Sequence, residues 1–69
     1  MFNIGDLIHY SYDNDIGIIT NILIYPKNTG LSIVIKWTNE KCDFIYSENE
    51  LIRNTKGINC IFKHYPMKK

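Results

Sequence analysis

Leu31-Ser32-Ile33-Val34-Ile35-Lys36-Trp37-Thr38 is the stretch whose reading decides the fold. In an extended chain Leu31, Ile33, Ile35 and Trp37 share one face, and Ser32, Val34, Lys36 and Thr38 share the other. Sustained period-two alternation is what a strand covering a core on one side requires. Both ends of the strand are marked. Pro26-Lys27-Asn28-Thr29-Gly30 precedes it as a loop, because Pro stops a hydrogen-bonded ladder and Asn and Gly supply turn geometry. Thr38-Asn39-Glu40-Lys41 follows as a short hairpin turn. Cys42-Asp43-Phe44-Ile45-Tyr46 then returns antiparallel, with Cys42, Phe44 and Tyr46 on one face. Phe44 and Trp37 are expected in the core, since large aromatics dominate small cores.

Working outward, residues 16–25 form a long second strand with apolar residues on both faces, so periodicity alone does not choose the buried one. Gly17 and Asn21 would permit a bulge, which exchanges the two faces. Asp13-Asn14-Asp15 is a turn, because these side chains bond the local backbone and tolerate left-handed geometry. Before it, Leu7-Ile8-His9-Tyr10-Ser11-Tyr12 is a first strand, with Ile8 and Tyr10 on one face and Leu7 and His9 on the other. Downstream, Ser47-Glu48-Asn49-Glu50 has the form of a capping box and predicts one helical turn. A short last core strand is expected over Leu51-Ile52-Arg53. Asn54-Thr55-Lys56-Gly57 is a loop, residues 58–65 have strand character, and Pro66-Met67-Lys68-Lys69 is a basic end.

These elements predict an all-β fold: a small SH3-like barrel of about five antiparallel strands, one short helical turn and an extra C-terminal strand. Closing the sheet would remove its exposed edges. Gly5-Asp6-Leu7-Ile8, Gly17-Ile18-Ile19-Thr20, Val34-Ile35-Lys36-Trp37 and Tyr46-Ser47-Glu48-Asn49-Glu50-Leu51-Ile52 occur in the order and spacing of a known group. Residues 4–53 resemble the small SH3-like barrel proteins of tailed phages, notably phages of cyanobacteria. The resemblance implies the barrel and a viral source, and no particular activity. It places the barrel at residues 1–53. Residues 54–69 are then a C-terminal strand and basic tail packed on the barrel or on a partner, as a self-capping monomer or a strand-exchanged homodimer.

The chain has 69 residues, of which 45% are hydrophobic and 22% charged, with 4 Gly and 2 Pro. That is a globular composition, in a chain too small for a deep, enclosed active site. There is no Ala or Gln, and Ile is the commonest residue. This favours strands, although AT-rich codons favour Ile, Asn, Lys and Tyr as well. Eight Lys and Arg against 7 Asp and Glu give a net charge of +1, which argues against a protein built to grip duplex DNA. No apolar run approaches a membrane span and no secretory signal is visible, so a cytoplasmic location is expected, in the host if the source is viral. Two cysteines are too few for a secreted disulfide scaffold.

The candidate sites are few. His9, Cys42, Cys60 and His64 lack the close spacing of structural zinc sites, and the cysteines read as small buried apolar residues. No metal, cofactor or catalytic set is expected, and the chain reads as a non-enzyme. Asp13, Asp15, Glu48 and Glu50 read as solvated turn and cap residues. Tyr12, Tyr25 and Tyr46 flank loops and are the candidate partner-binding aromatics, since clustered rings offer flat faces to proline or cations. The leading expectation is a non-catalytic protein–protein interaction module, a phage accessory protein binding a host or virion protein. The alternative is a weak RNA- or DNA-binding barrel of the KOW or Tudor-like kind. It would use Lys56, Lys63, His64, Lys68 and Lys69, with Phe62 and Tyr65 interleaved for base stacking. A structural role in the phage particle is a third reading.

Overall fold

The computed structural model describes residues 2–24, 30–56 and 60–67. Five strands and one helix follow in the order β1 (Leu7–Tyr10), β2 (Asp15–Ile24), β3 (Leu31–Trp37), β4 (Phe44–Ser47), α1 (Glu48–Thr55) and β5 (Phe62–Tyr65). The strands form one antiparallel sheet in the order β4-β3-β2-β1-β5. The all-β class is as expected, but the sheet is not closed. Its hydrogen-bonded ladder ends at β4 on one side and β5 on the other. Both edge strands are only four residues long, and α1 packs on β3, β4 and β5. The helix thus occupies the seam that a closing ladder would need.

The alternation in β3 is realised: Ile33, Ile35 and Trp37 are buried, and Leu31 packs against them. In β2 the inward residues are Asp15, Gly17 and Ile19, while Ile16 and Ile18 face out. The register against β3 then shifts between Ile19 and Asn21. Beyond that bulge the even-numbered Ile22, opposite Ile33, packs on the core. The faces are exchanged, as an extra residue in one strand requires. At the β1–β2 turn Asn14 takes the left-handed conformation (φ 56°).

Gly17 is paired with Trp37. A Cβ built there would lie 2.5 Å from Ile35 Cγ2 and 2.8 Å from a ring carbon of Trp37. Bare backbone is what lets the indole lie flat over β2. Phe62 stacks on the same indole, at 5.9 Å between ring centroids.

Three expectations about individual residues are corrected. Leu51-Ile52-Arg53 is helix, not strand. Ser47 Oγ accepts from Glu50 N–H at 3.1 Å, and α1 runs for eight residues beyond this cap. Leu51 is fully buried and Ile52 partly, and a helix turn buries two adjacent apolar residues as readily as a strand does. Near the helix end Thr55 Oγ1 donates to the Ile52 carbonyl, and Asn54 Nδ2 donates to that of Glu50 one turn back. Cys42 is exposed in the β3–β4 connection, and Cys60 is half-buried. Phe44 points inward opposite Ile35 yet is 41% exposed, because no strand lies beyond β4 to cover it. The final strand is an integral part of the core, since Phe62 is one of the buried cluster. The division at Arg53 falls inside α1.

β5 is held by its ladder with β1 of the same chain and by Asp6, which is almost fully buried. Its Oδ2 accepts from Asn3 N–H at 2.9 Å and from His64 Nε2 at 2.7 Å, and its Oδ1 accepts from Met67 N–H at 2.9 Å. Burial by itself pushes the Asp6 carboxyl up. The bonds from Met67, His64 and Asn3, with the imidazole's charge, outweigh it and hold the group below its ordinary value.

Two outcomes follow for stability. Gly17→Ala should cost about 1–3 kcal/mol by overpacking and lower Tm by roughly 5–20 °C; a calorimetric scan matching the wild type would show that the indole can slide aside. A carboxyl lowered in the folded state stabilises it above the unfolded value of about 4, and that contribution is lost as the pH falls through the lower folded value. Asp6→Asn turns an amide N–H toward groups that are themselves donors. It should cost about 1–3 kcal/mol at neutral pH, with the gap to wild type closing below about pH 4 in denaturant titrations.

Candidate functional site

Hairpin connections alternate between the two ends of an antiparallel sheet, so the β1–β2 and β3–β4 turns share one end. There the inner faces of the strands leave a cavity of about 350 Å³ between these turns, α1 and the start of β5. Five aromatic side chains line it: Tyr10, Trp37, Phe44, Tyr46 and Phe62. Phe62 is their centre, with ring centroids 5.6 Å from Tyr10, 5.9 Å from Trp37 and 5.7 Å from Tyr46. Phe44 continues the array, nearly parallel to Tyr46 at 17° and 6.4 Å. Trp37 Nε1 donates to the Tyr46 hydroxyl at 3.3 Å. Exposure rises along the array, from the buried Trp37 and Phe62 through the half-buried Tyr10 and Tyr46 to Phe44. The inner rings complete the core and the outer ones present faces to solvent.

The polar lining is acidic. Asp13 and Asp15 come from the β1–β2 turn, Glu40 from the β3–β4 turn and Glu50 from α1, with Asn54 beside them. None of the lining residues is Lys, Arg or His. Asp15 is buried rather than solvated, a correction to its reading as a surface turn residue. Its Oδ1 accepts from Ile16 N–H at 2.8 Å and from the Thr38 hydroxyl, which ties the two turns together. Asp13 Oδ1 accepts from Asp15 N–H at 3.1 Å, forming the Asx-type turn. Burial pushes the Tyr46 phenol above its ordinary value; the Trp37 donor opposes this, and the charges of Glu50 and Glu40 add to it. Among the described residues, no group of three or more His, Cys, Asp or Glu is placed to hold a metal ion. A second cavity, at the opposite end beside Asp6 and Met67, has for its charged group a carboxylate already engaged by three donors.

The sequence-predicted residues divide. Tyr46 lies in the groove wall. Tyr12 is 77% exposed at its margin, edge-on to Tyr10 at 5.5 Å between centroids. Tyr25 lies outside the described residues, as do Lys68 and Lys69. Lys56 and Lys63 are exposed, and neither lines the groove. His64 is bound to Asp6 and packed on Phe2 at 4.6 Å, and Phe62 is buried. Sequence reasoning missed Glu40 altogether and treated Trp37 and Phe44 as core alone. The signal was present in the strand order: acidic residues in the first and third connections of a meander must meet at one end of the sheet.

No helix among the described residues is long and apolar enough to cross a membrane. Tyr46→Phe should remove the acceptor of the indole N–H, shift the Trp37 side-chain ¹H–¹⁵N resonance and cost about 1 kcal/mol. In an alkaline absorbance titration the phenol lost in this variant should be one that ionises above the ordinary tyrosine range. Comparison with family models, with curated proteins and with solved structures finds no match to this chain.

Proposed function

We propose that the chain is a non-catalytic binding module that takes up a segment of another protein in the aromatic groove between the β1–β2 turn, the β3–β4 turn and α1. The observation that carries this reading is Phe44. It stands opposite the fully buried Ile35 and points to the inner face, yet it remains 41% exposed beside a cavity. A large ring left half in water next to other rings is the anatomy of an interaction hot spot rather than of a finished core. The lining supplies carboxylates and phenols but no His, Cys, Ser or Lys to act as a nucleophile with its base, so we read the groove as binding rather than catalytic. The resemblance of residues 4–53 to the SH3-like barrels of tailed phages supports reading the partner as a host or virion protein met in the host cytoplasm. Among the described residues, the exposed Lys56 and Lys63, with the exposed Tyr65 near the latter, support the alternative of a nucleic-acid ligand. Neither lysine lines the groove, whose carboxylates repel phosphate.

Panning a random-peptide library on immobilised wild type and on Phe44→Asp tests this reading, with Tyr12→Ser as a second variant that leaves the inner rings in place. Peptides enriched on wild type and depleted on the variants are expected. Enrichment indifferent to both variants, or oligonucleotide binding with no enriched peptide, would sink it.

A further inference from the structure

The groove differs in charge from the chain around it. The chain as a whole carries eight basic residues and a net charge of +1, yet the groove gathers four carboxylates from three separate segments and, among the described residues, no basic side chain. Local structural needs account for part of this. Asp13 and Asp15 build their own turn, and Asp15 joins it to Thr38. A carboxylate in the first turn of α1 suits the helix dipole, although Glu48 supplies that as well as Glu50 does and does not line the groove. Glu40 contributes its backbone N–H to the β3–β4 turn, bonded to Trp37 carbonyl oxygen at 3.2 Å, and its carboxylate has no part in that bond. Among the described residues the one ion pair is His64 with Asp6, at the other end of the sheet, so neither Glu40 nor Glu50 has an ion-pair partner among them.

We propose that the groove selects a cation, the guanidinium of an arginine in a flexible basic segment of the partner, laid on the faces of Phe44 and Tyr46 with Glu40 and Glu50 as its counter-charges. The inference rests on the protein-binding reading above and names the chemistry which that site recognises. An uncharged or apolar segment would bury carboxylates with nothing to compensate them, and an anionic one would be repelled. A cation gains from both components of the wall, from the negative faces of the rings and from the carboxylates. Arginine fits better than lysine. Its planar guanidinium stacks on flat rings, is less strongly hydrated than an ammonium, and presents a fork of donors to carboxylates. The exposed Phe44 ring, near-parallel to Tyr46, offers such a flat face.

Trp37 is the single tryptophan of the chain, and its indole N–H is bonded to Tyr46 in the groove wall, so its side-chain ¹H–¹⁵N resonance reports occupancy. The full chain is titrated with three blocked peptides of alternating glycine and a second residue: arginine, lysine, or citrulline, which keeps the shape of arginine without its charge. The arginine peptide should move the indole resonance saturably and bind about tenfold more tightly than the citrulline peptide, with lysine weaker than arginine. Glu40→Gln combined with Glu50→Gln should weaken arginine binding about tenfold and flatten its dependence on salt. Both side chains are solvent-facing and unpaired among the described residues, so the double variant keeps the fold, which an unchanged melting transition verifies. Equal binding of citrulline and arginine, tighter binding of lysine, or an affinity untouched by the double variant overturns the proposal. The panning experiment separates its failure from that of the parent reading. Groove-dependent peptides without basic residues remove the cation alone, whereas the absence of any groove-dependent peptide removes both.

Discussion

The indole of Trp37 lying over the bare backbone of Gly17 is the contact on which the rest of the molecule depends. A side chain at residue 17 would push the ring off the sheet. The indole would then lose its place beside Phe62, and with it the bond from Nε1 to Tyr46. Through those two neighbours Trp37 joins the first and last strands of the chain to the edge strand β4. In a domain this small, one ring that contacts several elements is a large share of the core, because little other buried area exists to replace it.

The same arrangement explains why the aromatic array ends in solvent. An open sheet capped by a helix has a covered end and an uncovered one, and the uncovered one here is where two hairpin turns meet. Tyr10, Phe44 and Tyr46 stand there because the strand register places them on the inner face, not because enough chain remains to bury them. A net charge near zero conceals the electrical character of that end. None of the described basic residues lines the groove, and the four carboxylates are brought together only by folding.

Much of the fold is legible in the residues. The run from Leu31 to Trp37 alternates so regularly that its register and buried face can be read directly, and Gly17 and Asn21 bracket the bulge that re-aims β2. Legibility fails where a short apolar pair is compatible with two periods. Leu51 and Ile52 fit a strand as well as a helix, and the cap at Ser47 decides the matter by starting a helix whose next turn they fill. It fails again at Phe44, since the exposure of a ring on an edge strand is set by what lies beyond the edge. Of the candidate site, Tyr12 and Tyr46 are visible as aromatics beside turns. Asp13, Asp15, Glu40 and Glu50 look like ordinary turn and cap residues until the pairing of strands brings the turns together.

The ladder between β1 and β5 joins the two extremes of the described chain: Leu7 sits beside Tyr65, and Tyr10 beside Phe62. Contacts between residues so far apart in sequence form late, because the entropy of closing the intervening loop must be met before they return anything. The hairpins of β1 to β4 involve near neighbours and can assemble while the chain is still being synthesised. Until β5 arrives, the slot of Phe62 is empty, and Tyr10, Trp37 and Tyr46 have no common neighbour. The aromatic groove is therefore not a property of any contiguous fragment, since its walls come from both ends of the described chain and close only when β5 pairs with β1.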